Sequence, residues 1–161
     1  MELVTTASES NSFFDFLVKS HSGLRWIILA LLLAAIVMAF SGRSNGKPFA
    51  SNKKVYLFTM ISMHIQLLIG LILYFMSPAV KIALNNFGAA MKIAPLRFAA
   101  LEHLLMMLIA VALITIGYSK SKKAEDDSKK HKAIFLFYTI ALIVILAAIP
   151  WPFRGWGHGW F

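Results

Sequence analysis

Six side chains in this sequence have types and positions suited to chemistry. His21 and Arg25 stand one helical turn apart, His64 lies in a long run without formal charge, and Arg97, Glu102 and His103 fall within residues 97–103. All six lie in or at the edge of strongly apolar segments, where an ionisable group is costly and ordinarily faces a bundle interior or a cavity. Two neutral imidazoles from facing helices at similar depth supply the two axial nitrogens of a b-type haem, with the porphyrin standing between the helices. An arginine near the outer surface offers countercharge to a propionate. A carboxylate beside an imidazole can orient it or take up a proton. The chain has no cysteine, which removes disulfides, thiolate-held iron–sulfur clusters, cysteine zinc sites and covalent haem attachment. Any metal or cofactor must be held by His, Met, carboxylate or backbone.

The elements that position these groups follow from composition. Of 161 residues, 59% are hydrophobic and 14% charged, and the mean hydropathy is +0.72. An ordinary soluble domain is about 45–50% apolar and about 25% charged. A chain this short could not bury so much apolar surface in water, which excludes a soluble enzyme. Four runs, residues 23–40, 55–76, 96–118 and 133–149, match the ~17–25 residues of helix that cross a ~30 Å hydrocarbon core. Open strand edges cannot face lipid, and the runs lack the alternation of a barrel. The fold expected is therefore all-α: a single membrane domain over residues 1–161, built as an integral membrane four-helix bundle. Residues 1–20 carry Glu2, Glu9 and Asp15 against Lys19, the wrong flank for a cleaved signal, so the first run reads as a retained span. Residues 77–95 read as a short interfacial helix, and the Trp- and Gly-rich tail as an aromatic belt.

Loop charge sets the expected orientation. Residues 41–54 carry Arg43, Lys47, Lys53 and Lys54, and residues 119–132 carry Lys120, Lys122, Lys123, Lys129, Lys130 and Lys132. The amino-terminal segment, residues 77–95 and the tail share only Lys19, Lys81, Lys92 and Arg154. This asymmetry places loops 41–54 and 119–132 in the cytoplasm and both termini outside, in the cell's inner (plasma) membrane. It also accounts for most of the +9 net charge. On a soluble domain such an excess would suggest nucleic acid. No basic stripe with interleaved aromatics is present, so no nucleic-acid partner is expected.

Counting about 1.5 Å per residue from Phe40, Val55 and Tyr118 puts His64 about 14 Å deep, His103 about 22 Å and His21 about 28 Å. His103 is thus within reach of either of the other two, and the sequence does not choose. Ala99, Ala100 and Ala110 leave a small face around His103, and Met106 and Met107 add adaptable packing. Each residue also has a purely structural reading. His64 could hydrogen-bond a neighbouring helix, Glu102 could pair with Arg25 or Arg97, and Arg97 and His21 could snorkel to headgroups. His131 lies in a lysine run and reads as a solvated loop residue, and His158 as an interfacial one.

The segments His21-Ser22-Gly23-Leu24-Arg25-Trp26, Met63-His64-Ile65-Gln66-Leu67-Leu68-Ile69-Gly70-Leu71, residues 97–107 with Glu102-His103, and Ile149-Pro150-Trp151-Pro152-Phe153-Arg154 resemble a small bacterial four-span membrane family commonly labelled cytochrome b-like. The likeness covers nearly the whole chain and implies haem and electron transfer. It departs from the larger cytochrome b families in lacking two histidines on one helix spaced for two stacked haems, so it implies one haem at most. The reading that results is a membrane electron-transfer protein whose single haem b is held by His103 and either His64 or His21. Arg25 or Arg97 would meet the propionates, and Glu102 would orient a ligand or take up a proton. Partners would be a quinone and a larger respiratory or redox complex in the lipid bilayer. The other reading is a non-catalytic membrane subunit or scaffold whose His/Glu/Arg cluster is a structural polar network. Neither is an enzyme on its own, and no nucleophile–base motif, phosphate loop or hydrolase metal spacing occurs. A proton or ion pathway is weaker, since span four holds no charge to continue it.

Overall fold

The computed structural model describes residues 2–154 and Trp156, with side chains from residue 12 onward. Among these residues the fold is all-helical. Four long helical stretches dominate: α1 (Glu2–Ser44), α2 (Phe49–Met76), α6 (His103–Lys123) and α7 (Asp127–Ala148). Between α2 and α6 lie the short α3 (Pro78–Asn85), α4 (Phe87–Ala90) and α5 (Ala94–Arg97), then a π-helical turn at Phe98–Glu102 that leads into α6. A 3-10 turn, Pro152–Arg154, follows α7. Four stretches, Ser12–Ser44, Phe49–Met76, Ala94–Lys123 and Asp127–Ala148, are long and apolar enough to cross a membrane. The chain is a multi-pass membrane protein.

The helices run past the apolar segments at both ends, because polar residues that meet water can still be helical. No proline interrupts α1, which at 43 residues is about 65 Å long, roughly twice a hydrocarbon core. It ends in a Schellman turn, where Gly46 adopts φ +63° and the Lys47 N–H donates to the Gly42 carbonyl at 2.9 Å. The first connection thus shrinks from the expected 41–54 to residues 45–48, and α2 begins directly after Pro48. Pro78 ends α2, since the residue before a proline is pushed out of helical geometry. Ser77 then caps α3, the helix expected in residues 77–95. The third connection shrinks from 119–132 to residues 124–126, and the Asp126 side chain caps α7 by accepting from the Lys129 N–H at 2.7 Å.

Connections this short make consecutive helices antiparallel neighbours. α1 packs along α2 and α7, α6 packs along α7, and α2 meets α6 over a shorter contact, so α1 and α6 stand across the bundle diagonal. The core is a stripe from each helix: Ile28, Leu32, Ala35 and Ala39; Tyr56, Thr59 and Met63; Ala110, Ile114 and Tyr118; Ile134, Tyr138, Ala141 and Ile145. The opposite faces expose Leu33, Val37, Phe58, Leu68, Phe75 and Ile143. Only 22–33% of each apolar window is buried, so the rest of that surface needs lipid rather than water.

One expectation is overturned. His131 is not a solvated loop residue: it is fully buried, at 0% exposure. Because α7 starts at Asp127, position 131 falls on the inward stripe that continues through Ile134, Tyr138, Ala141 and Ile145. His131 Nε2 lies 3.1 Å from the Lys47 carbonyl, which only accepts, so Nε2 carries the proton. Nδ1 then accepts from the Tyr56 hydroxyl at 3.0 Å. Tyr138 in turn donates to the Tyr56 carbonyl at 2.9 Å. The Phe49 ring lies 5.3 Å from the imidazole, and a Cβ at Gly42 would come within 2.5–2.9 Å of three of its ring atoms. This end of the bundle is closed.

Candidate cofactor site

The opposite end is open. There the short α2–α6 contact leaves a cleft of about 260 Å³ bounded by α1, α2, α3, α7 and the π-turn with the start of α6, somewhat below the ~300–1,000 Å³ usual for ligand sites. His103 enters it as the first residue of α6, with its N–H closing the π-turn on the Phe98 carbonyl. The Tyr74 hydroxyl donates to the Ala100 carbonyl within that turn at 2.9 Å. Single π-turns recur at functional sites, where the extra residue re-aims the side chains that follow.

His103 Nδ1 lies 2.8 Å from the Ala148 carbonyl. A carbonyl only accepts, so Nδ1 carries a proton, which in a neutral ring leaves the lone pair on Nε2. A carbonyl or carboxylate on the far nitrogen is the usual support of a metal-ligating histidine. Across the cleft stands His21 of α1. The two ring centroids are 6.3 Å apart with planes at 68°. Two imidazole nitrogens, each about 2 Å from one shared ion on opposite sides, put their ring centroids roughly 6 Å apart. The same separation is ordinary for two rings that meet edge to face, and both histidines line the one cleft.

α2 shapes the ground beneath His21. The Gln66 Nε2 donates to the His21 backbone carbonyl at 2.7 Å. A Cβ at Gly70 would lie 3.1 Å from His21 Cε1, so only glycine leaves the ring undisturbed here. Among the described residues, His21 Nδ1 and Gln66 Oε1 are buried at this contact without a hydrogen-bond partner. Arg25, one turn from His21, lines the same cleft with its guanidinium 5.2 Å from the Trp26 ring centroid. Met63 and Met107 contribute apolar lining. Behind His103 lies the Phe98 ring at 5.7 Å, itself covered by Arg154 at 5.5 Å and Trp156 at 4.6 Å.

The other sequence candidates lie elsewhere. His64 Nδ1 bonds the Met60 carbonyl one turn back at 2.8 Å, and Nε2 lies 3.4 Å from the Thr115 hydroxyl. It does not line the cleft. Arg97 and Glu102 form an ion pair at 2.6 Å with side chains 39% and 37% exposed. Arg97 also donates to the Met91 carbonyl at 2.9 Å. Neither lines the cleft. Of the six candidates, then, His21, His103 and Arg25 share one site. His158 lies outside the described residues. Gln66, Gly70, Tyr74 and the π-turn join the site without having been singled out. Met63, Gln66 and Gly70, spaced three and four apart, mark one face of α2, and that spacing was the available signal. Among the described residues no group of three or more His, Asp or Glu converges to hold a metal ion.

These features define a multi-pass helical membrane protein with a two-histidine cleft across its diagonal helices. No family model matches the chain, and comparison with curated proteins and with solved structures finds no match either.

Proposed function

We propose that this chain is a b-type cytochrome, holding one haem between His21 and His103 and passing electrons within the membrane. The observation that carries the reading is the 6.3 Å separation of the two imidazoles across the cleft. A bound haem b would supply one-electron redox chemistry. The chain's own residues supply the rest. The Ala148 carbonyl fixes the His103 tautomer so that Nε2 presents its lone pair. Gly70 makes room for His21, and Arg25 brings positive charge to the cleft for a propionate carboxylate. Met63, Met107 and Val80 keep the lining apolar and exclude water. The resemblance to cytochrome b-like four-span proteins supports the same reading. The lysine asymmetry supports an orientation with residues 41–54 and 119–132 in the cytoplasm and the cleft toward the outer face of the inner membrane. A quinone dissolved in the bilayer and a larger redox complex are the partners such a protein would serve.

The test is an absorption spectrum of the purified, haem-reconstituted chain, oxidised and dithionite-reduced. Wild type and His64→Ala should show a reduced Soret and α-band, while His21→Ala and His103→Ala should lose the low-spin spectrum. A colourless wild-type protein after reconstitution overturns the reading. It would leave the scaffold alternative, which draws on the Arg97–Glu102 pair and on His64 being bonded within the bundle.

A further inference from the structure

The two cleft histidines are not equally supported. His103 has its Nδ1 on the Ala148 carbonyl at 2.8 Å. His21 Nδ1 is buried without a hydrogen-bond partner. This nitrogen belongs to the ring edge turned to α2, since Cε1 and Nδ1 are the His21 atoms nearest a Cβ placed at Gly70, at 3.1 and 3.7 Å. Gln66 lies one turn before Gly70 on that same face, 8% exposed. Its amide orientation is fixed, because only the NH2 group can donate to the His21 carbonyl at 2.7 Å. Its Oε1 is thereby an acceptor, also buried and also without a partner. A donor-capable nitrogen and an acceptor oxygen are thus both unsatisfied at the α1–α2 contact beside the cleft. A buried acceptor left unmade costs the full desolvation of the group, so a rearrangement that joins the two would remove two penalties together.

We infer that Gln66 is the positioning residue for His21: its Oε1 accepts the His21 Nδ1 proton, so that His21, like His103, presents Nε2 to the cleft. This rests on the reading of His21 as an axial ligand. Gln66 borders the cleft beside His21. It would act through the histidine, holding tautomer and ring angle as the Ala148 carbonyl does for His103.

Gln66 has two functions that two variants separate. Gln66→Leu removes both the donor and the acceptor. Gln66→Glu keeps the acceptor and loses the donor to the His21 carbonyl. The full-length chain is titrated with haem in detergent, and the midpoint potential of each loaded variant is recorded. Positioning predicts that Gln66→Leu weakens haem binding about 10–100-fold. Gln66→Glu should stay near wild type in affinity and shift the midpoint potential downward, because a carboxylate makes the ligand more electron-rich. A residue that merely clamps α1 to α2 would make both variants equally weak, and that result overturns the inference, as does wild-type affinity in both.

A second readout does not need haem. Nitrogen-15 NMR of histidine-labelled apo-protein, with His21→Gln used for assignment, should show His21 protonated on Nδ1 in wild type and a changed tautomer balance in Gln66→Leu. An unchanged tautomer overturns the inference. If wild type binds no haem, the cytochrome reading fails, and this tautomer measurement alone decides the Gln66–His21 pairing.

Discussion

The two ends of the bundle each bury a histidine, and they treat it in opposite ways. At the lysine-rich end, both nitrogens of His131 are bonded, to the Tyr56 hydroxyl and the Lys47 carbonyl, and Gly42 presses against the ring. At the other end, the His21 and His103 rings meet edge to face at the cleft, and among the described residues His21 Nδ1 and the Gln66 amide oxygen have no hydrogen-bond partner. Natural structures satisfy nearly all buried polar groups, so a pair of exceptions at one contact calls for a physical explanation, such as strain, an ordered water or a local rearrangement that joins them. The contrast separates a histidine whose two nitrogens are bonded within the packed end from two histidines that line a cleft, although all three are buried or half-buried in the same bundle.

The largest expected effect tests that separation directly. His103→Ala should abolish the reduced low-spin haem spectrum, while His131→Ala should leave it in place and instead lower stability. Removing the His131 ring opens a cavity and strands the Tyr56 hydroxyl and the Lys47 carbonyl, a loss of about 2–4 kcal/mol. Reduced-minus-oxidised spectra and thermal unfolding in the same detergent measure both. A His131→Ala protein that is stable but colourless would reverse the assignment of the two ends.

A glycine pair gives the next, smaller effect. An alanine at Gly42 would put its Cβ 2.5 Å from the enclosed His131 ring, which has no room to retreat. Overpacking of this kind costs about 1–3 kcal/mol, with the haem spectrum unchanged. An alanine at Gly70 would meet His21 Cε1 at 3.1 Å, and that ring borders the cleft. Gly70→Ala should leave unfolding nearly unaffected and shift the haem band or weaken binding severalfold. If both variants lose stability alike, the open end is no looser than the closed one.

How much of this was legible in the sequence follows from what each signal reports. Hydropathy reports the solvent around a segment, so the four apolar runs and the all-helical architecture could be read, but not where each helix ends. Lys120, Lys122 and Lys123 belong to the last turn of α6, and Lys129 and Lys130 to the first turns of α7. Read as loop, they hid His131, although its spacing to Ile134 and Tyr138 already placed it on the core stripe. Depth counting left His64 and His21 as rival partners for His103. It could not see azimuth, and azimuth decides: His64 turns to Thr115, whereas His21 turns to the cleft. Gln66 stands in the quoted segment of the second run but carries no charge and so was given no role, although a lone amide in a long apolar run has the same need for a partner.

The smallest effect belongs to the cap of α7, far from the cleft. The Asp126 carboxyl is held below the usual carboxylate range, first by the Lys129 backbone N–H, then by the Lys129 side chain and the charges of Lys129 and Lys130. A depressed folded-state pKa stabilises the fold above the unfolded value, near ~3.9, and that contribution disappears as pH falls through the folded value. Asparagine caps a helix about as well as aspartate. Asp126→Asn should therefore trail wild type slightly in thermal stability at neutral pH and converge with it as pH is lowered through the carboxylate range, its haem spectrum matching wild type throughout. A gap that persisted in acid would place the difference in cap geometry rather than charge. A gap accompanied by a changed spectrum would mean that the lysine end and the cleft are coupled along α6 and α7, which the closed packing around His131 argues against.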